Sequence, residues 1–231
     1  MRDGLAQVIA AQTVLSHADG EKGKIWVRGH RIGELVARYG CEGTIALLWE
    51  GFGGDDLTRA GVLAQLGLAR KLAFSRLDDW LAAAKRRPLI EGVRMALAAL
   101  PEDSDAATIA ATLPVAVAAL LRVRQGTAPV APDDTLTTAA DFLHMLHGAP
   151  ADKKFVQALD AYLTAVIDNG LGTSTFAARV IISTRASLVS AILGAYGAFT
   201  GSLHGGAPAL ALDMLDAISQ AGDIVPGSSV P

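Results

Sequence analysis

Five histidines are scattered along the 231 residues, and one of them, His204, has neighbours suited to chemistry. It stands in Gly201-Ser202-Leu203-His204-Gly205-Gly206-Ala207, between two long helical patterns. Gly205 and Gly206 leave the backbone open to close approach by a ligand. At the start of the second helix the ring would sit at the positive end of a helix dipole. That lowers an imidazole pKa and favours a neutral ring that donates a hydrogen bond to a developing oxyanion. The residue types alone equally allow a histidine that merely occupies an interhelical turn.

The other candidates carry less. His144 and His147, preceded by Asp141, have the i, i+3 spacing that puts ligands on one helix face, but no cysteine or second acidic cluster joins them. A solvated helix end before Gly148 is the simpler reading. His17 and His30 fall in turn or hairpin context without an evident partner. The glycines at 51–54 lack the strand, spacing and lysine of a phosphate loop. No G-x-S-x-G, H-E-x-x-H or C-x-x-C pattern occurs, and no metal site is expected. Cys41 is the single cysteine, so neither an internal disulfide nor a thiolate cage can form, and a reducing cytoplasm is the expected location. Twenty basic and 23 acidic side chains leave a formal net charge of -3, which argues against a broad nucleic-acid or anionic-membrane surface.

The elements that must position these residues are helices. The chain is 51% hydrophobic, 19% charged and 5% aromatic, with a mean hydropathy of +0.36. That excludes disorder, and apolar content carried by Ala, Leu and Val favours helix over sheet. A short hairpin is predicted near the N-terminus, with Val14-Leu15 pairing with Ile25-Trp26-Val27 across the Gly20–Gly23 turn. Helical patterns follow from Ile32 to near Gly40, over Ile45–Trp49, and from Asp55-Asp56 through Leu72 towards Ala84. Others cover Leu89–Leu100, Ser104–Arg124, Asp134–Gly148 and Asp152–Ile167, with Gly126–Asp133 as an internal linker. Ser174 or Thr175 is expected to cap a helix that continues to about Gly201, with the small residues Ser183, Ser187, Ser190, Gly194, Gly197 and Gly201 along one face. A last helix is predicted over Ala207–Ala221. The longest uncharged stretch, Ala186 to Leu203, has 18 residues, near the lower limit for crossing a bilayer, but three Ser, one Thr and three Gly weaken it. Pro114 interrupts a second such stretch, and the first eleven residues are too short in apolar run for a signal peptide.

Three separated motifs carry a resemblance. Ser174-Thr175-Phe176-Ala177-Ala178-Arg179-Val180, with Leu203-His204-Gly205-Gly206-Ala207 after the helix, resembles the run into the first catalytic histidine of the citrate synthase family. Asp19–Lys24 followed by Arg28-Gly29-His30 is similar to that family's hairpin and R-G-[YH] motif, and Leu47-Leu48-Trp49-Glu50-Gly51 to its L-L-W-x-G. The resemblance spans nearly the whole chain. It implies an all-α, multi-helical large domain with a small N-terminal β-hairpin: a hairpin segment over 1–30, the helical domain over 31–222 and an irregular tail over 223–231.

The resemblance also implies chemistry. The family condenses an acyl-CoA, usually acetyl-CoA, with oxaloacetate and hydrolyses the product to citrate, the step that feeds the tricarboxylic acid cycle. An aspartate takes a methyl proton while a neutral histidine stabilises the enol, and His204 matches that histidine. Asn169 stands where the family usually has an oxaloacetate-binding histidine, and Gly172 where it has an asparagine; Asn donates a hydrogen bond but carries no positive charge. Asn169, Gly205 and Gly206 are the substrate-binding candidates. No cofactor is expected, acetyl-CoA being a substrate, and a homodimer is implied. Family members run well over a hundred residues further, through a small domain with the catalytic aspartate and the carboxylate-binding arginines; Asp213, Asp216 and Asp223 read as helix-surface residues. The chain is therefore expected to be incomplete and inactive alone. The alternatives are a non-catalytic dimerising protein, half of a two-polypeptide enzyme and, on hydropathy only, a small helical membrane protein.

Overall fold

A computed structural model describes residues 11–52, 57–168, 170–202, 204–205, 213–214 and 216–219. The predicted 207–221 helix falls mostly outside these residues, and the 223–231 tail, with Asp223, wholly so.

The N-terminal segment is a three-stranded antiparallel meander. Strands β1 (Ser16–Asp19) and β2 (Lys24–Val27) pair with Ser16 opposite Val27 and Asp19 opposite Lys24. The Asp19 carboxylate accepts the Lys22 N–H at 3.0 Å and Gly23 takes φ +58°, so the turn itself fixes the register. The hairpin therefore forms, but not on Val14-Leu15. Val14 is exposed, and Leu15 contributes only its carbonyl, which accepts the Arg28 N–H at 2.7 Å. Strand β3 (His30–Arg31) follows a turn in which Arg28 and Gly29 both have positive φ.

Helix α1 (Ile32–Arg38) and helix α2 (Gly40–Trp49) come next. Arg28 reaches from the sheet to the far end of α2, where Nε donates to Leu47 O at 2.8 Å and Nη2 to Glu50 O, and its guanidinium lies 5.4 Å from the Phe52 ring centre. The last carbonyls of a helix have no helical partners and carry partial negative charge, so a cation is favoured there. The Arg28-Gly29-His30 and Leu47–Gly51 motifs are thus two halves of one clasp.

Helix α2 starts five residues earlier than predicted because Asp160 supplies a remote cap, accepting the Cys41 N–H at 3.3 Å. Burial, aided by the Glu42 and Asp160 carboxylates, pushes the Cys41 thiol up to about 12. The folded state therefore retains a proton that the unfolded chain gives up near pH 9. This contribution to stability is complete below that pH and is lost as pH rises towards 12. Cys41 is expected to resist a disulfide reagent at pH 8 in the native protein and to react at once in denaturant. Equal rates in both states would contradict its burial.

Helix α6 (Ala106–Arg124) is the centre of the domain, surrounded by α3 (Arg59–Ser75), α5 (Leu89–Ala98) and α7 (Thr138–His147). Ala107, Ala111, Ala116, Ala118 and Ala119 are buried, and small side chains let the neighbouring backbones come close. Pro114 sits inside this helix without ending it, costing one backbone hydrogen bond that packing on several sides offsets. Among the described residues α6 is also the helix long and apolar enough to cross a membrane, with a mean hydropathy of 1.9. More than half of that window is buried inside the fold, which accounts for its apolarity.

Four helix starts are set by caps the sequence places nearby: Thr58 on α3, Asp105 on α6, Thr137 on α7 and Asp152 on α8 (Lys153–Ala165). Between α3 and α5 lie a 3₁₀ turn (Leu77–Asp79) and the four-residue α4 (Leu81–Ala84), so the long pattern towards Ala84 breaks at Arg76. The 126–133 stretch is not a free linker. Arg122 Nε donates to Ala128 O at 2.6 Å, and the Asp133 N–H donates to Asp141 at 2.9 Å.

Asp141 is not a metal ligand beside His144 and His147. It is fully buried and ion-paired with the equally buried Arg70, Nε to Oδ2 at 2.5 Å. No group of three or more potential ligands occurs among the described residues.

The helix expected from Ser174 to Gly201 is two helices, α9 (Thr173–Ser183) and α10 (Leu188–Phe199), packed on each other. The chain reverses between them with Arg185 at φ +64°. The Ser183 and Thr184 hydroxyls bond back to Val180 O and Ile181 O at 2.7 Å, and Ser187 caps α10 through the Ser190 N–H at 3.0 Å. The small residues consequently form no single stripe. One of them does admit a close neighbour: a Cβ at Gly194 would collide with Ile181 Cδ1 of α9. The uncharged 186–203 stretch contributes only a twelve-residue helix, shorter than a bilayer crossing needs.

Candidate functional site

The α9–α10 hairpin explains how the S-T-F and L-H-G-G motifs meet. A continuous helix from Ser174 to Phe199 would hold its ends about 40 Å apart at 1.5 Å per residue. Folded back at Arg185, helices of 11 and 12 residues return the chain to its starting end. His204 Nε2 then lies 3.0 Å from Ser174 Oγ in the first turn of α9. The Phe199 ring meets the imidazole edge-on at 5.7 Å and 81°, fixing its plane from the other side.

His204 is half-buried in a tight turn, with its own N–H donating to Gly201 O at 3.0 Å and that of Gly205 to the same oxygen at 3.2 Å. This turn itself requires glycine at position 205. The space a side chain would occupy is filled by the protein's own Phe199 carbonyl, so any Cβ there would collide with it. Asn169 and Gly206 lie outside the described residues, as does the helix start whose dipole was expected to act on His204. The helix end that does reach the imidazole is that of α9, whose start at Gly172 has no side-chain cap. The expected capping residues, Ser174 and Thr175, are inside its first turn.

A cavity of about 370 Å³ opens here, lined among others by Asp168, Gly170, Ser174, Thr175, Phe199 and His204. Gly172 joins Asp168 and Gly170 in the lining. Asp168 Oδ1 accepts both the Gly170 N–H at 2.7 Å and the Ser16 hydroxyl of β1 at 2.9 Å. A second cavity of about 530 Å³ is lined by Ser16 and His17 and shares Gly170 and Gly172 with the first. Among the described residues no lysine or arginine lines the first cavity. Asp213 and Asp216 are exposed on helical turns, as expected.

The arrangement suits hydrogen-bond donation to an oxygen. A neutral imidazole that accepts the Ser174 hydroxyl at Nε2 keeps its proton on Nδ1, free for another acceptor. The sequence singles out His204 but does not reveal Ser174 as its partner, nor the contact between Asp168 and Ser16. Ser174 was legible as a candidate cap and as part of a motif. The Asp168–Ser16 pair, 152 residues apart, left no local signal.

Residues 4–227 match the family model described as citrate synthase, C-terminal domain. The chain is 32% identical over 228 residues to a 2-methylcitrate synthase of Mycobacterium tuberculosis, covering 94% of this chain and 58% of that protein. It is 34% identical over 239 residues to a citrate synthase of Haloferax volcanii, covering 93% and 61%. The crystal structure of citrate synthase from Thermotoga maritima MSB8 superposes with a TM-score of 0.79 at 27% identity, over 94% of this chain and 61% of that one. The chain thus spans about three fifths of the length of these curated relatives. With its motifs, all-helical architecture and matched residues in agreement, the chain belongs to the citrate synthase family.

Proposed function

We propose that this chain supplies the enol-stabilising wall of a citrate synthase-type active site, which condenses an acyl-CoA, acetyl-CoA first among them, with oxaloacetate and releases CoA. The observation that carries the reading is the 3.0 Å contact of His204 with Ser174 on the wall of the cavity. When a base removes a proton from the acyl methyl group, the electron pair moves onto the thioester oxygen. Nδ1–H of His204 donates to that oxygen as its charge develops, without transferring a full charge of its own. The nucleophilic carbon then attacks the ketone of oxaloacetate, whose oxygen takes up a proton to become the product hydroxyl, and water adds to the thioester carbonyl and expels CoA as the thiol. Asp168, a carboxylate on the cavity wall, already has Oδ1 committed to Ser16 and Gly170, which suits a structural anion better than the base.

Oxaloacetate is a dianion, and the described lining offers it no cationic side chain. On this reading its carboxylates are met by groups beyond that lining, and the 231-residue polypeptide alone does not turn over. The same reading makes the chain a cytoplasmic subunit that pairs with a second copy of itself. The assay is release of free CoA from acetyl-CoA and oxaloacetate. No oxaloacetate-dependent release is expected from the polypeptide alone. Release is expected once a second polypeptide spanning the C-terminal two fifths of a relative is co-expressed with it. Silence in both arms sinks the reading, and vigorous turnover by the polypeptide alone sinks its second half.

That lack of a cation in the described lining also favours a second reading, a family member that binds without catalysing. It predicts association with a full-length relative, and no CoA release in either arm.

A further inference from the structure

We infer that Ser16, in the first strand of the N-terminal sheet, is a positioning residue for His204, acting through Asp168 and the start of α9. The inference rests on the reading above only in taking His204 as the group that meets substrate.

The connection is continuous. The Ser16 hydroxyl donates to Asp168 Oδ1 at 2.9 Å, and the same oxygen accepts the Gly170 N–H at 2.7 Å. Gly170, at φ +84°, is the pivot of the turn, and its carbonyl accepts the Gly172 N–H at 3.0 Å. Gly172 opens α9 without any side chain to cap it. The orientation of that first turn, which presents Ser174 to His204, is therefore set from behind by Asp168. Asp168 in turn is tied to the rest of the molecule through Ser16. Carboxylate acceptors make stronger hydrogen bonds than neutral ones, and one oxygen holding two donors fixes both in direction.

β1 is anchored independently of this contact, through its pairing with β2 and the tilted contact of the His17 and Trp26 rings, 5.6 Å between centroids. It is thus a fixed point for the loop. The family motifs in this region begin at Asp19, so Ser16 lies outside them.

The test reads the His204 ring directly. The ¹⁵N resonances of the imidazoles are recorded on the full 231-residue chain, and the His204 pair is assigned as the one missing from H204Q. Ser174→Ala gives the position of the ring without its hydroxyl partner. Ser16→Ala is expected to move the His204 resonances towards that position, and Asp168→Ala to move them in the same sense. Ser16→Thr, which keeps the hydroxyl, is expected to restore the wild-type shifts. His17→Ala, which weakens the same strand without touching Asp168, is expected to leave them in place. The inference is overturned if Ser16→Ala leaves the ring where His17→Ala leaves it, or if both variants move it equally. No substrate is used, so failure of CoA release would not bear on this result. An unmoved ring would in turn leave the proposed reaction untouched.

Discussion

Arg70→Ala is expected to lower the stability of this chain by about 3–5 kcal/mol, the usual cost of stripping one partner from a buried ion pair. Arg70 and Asp141 are 1% and 0% exposed, so neither charge has water to fall back on. The guanidinium donates to Asp141 at 2.5 Å, to Leu136 O at 2.8 Å and to Thr138 Oγ1 at 3.3 Å, which joins α3 to α7 and to the turn before it. With arginine removed, Asp141 keeps only the Asp133 N–H at 2.9 Å as a donor. The joint cannot relax by sliding. Gly67, one turn before Arg70, lies so near the Asp134 carbonyl that a Cβ would collide with it. Domains of this kind are stable by only about 5–15 kcal/mol, so the loss is a large fraction of the whole. Urea titration followed by circular dichroism measures it. A double change to well-packed apolar residues, Arg70→Met with Asp141→Leu, is expected to recover most of the deficit because it removes both charges together. A loss under about 1 kcal/mol for Arg70→Ala would show that the pair is hydrated in solution.

His204→Ala is expected to lower kcat of the complemented enzyme by about 10²–10³-fold, the range found when one donor to a developing oxyanion is deleted. The charge on the thioester oxygen exists only on the way to the enolate, so the bond to His204 strengthens there and not in the ground state. KM for oxaloacetate should therefore stay within a few-fold of wild type while kcat falls. A raised KM with unchanged kcat would make His204 a substrate-binding residue and would overturn the role assigned to it. Thermal melts of the two proteins separate this from unfolding. The imidazole is half-buried and its ring contacts are with Ser174 and Phe199, so its loss removes little of the core.

Much of the fold was legible because its signals are local. The helical pattern from Ser104 to Arg124 marks out α6 in the sequence, and its Asp105 cap and central burial needed the structure. The turn between β1 and β2 could be read from Gly20 to Gly23, though the strand itself could not, because the register depends on the Asp19 to Lys22 bond. The reversal at Arg185 was hidden for a different reason. Thr184-Arg185-Ala186-Ser187 contains neither glycine nor proline, and the apolar spacing runs through it without a break. The left-handed conformation there is imposed by the packing of α9 on α10, a long-range effect that periodicity does not register. The partner of Asp141 was hidden in the same way. The spacing of Asp141 to His144 and His147 is a property of one helix, whereas its partner Arg70 is 71 positions away. His204 could be singled out from its glycines and motif, while what orients it comes from the start of α9 and from β1.

The hairpin of α9 and α10 also turns the distance between two motifs into a count. Ser174 and His204 are 30 positions apart, and both helices between them are wound at about 100° per residue. One residue added inside either helix would rotate its far end by that angle and swing the hydroxyl or the imidazole off the shared axis. Added at the Arg185 bend instead, it would lengthen a loop, the kind of change surface connections tolerate. Chains built on this arrangement should therefore keep the two helix lengths invariant and let any variation in length collect at the bend. An alignment scored on the motifs alone would not see that constraint.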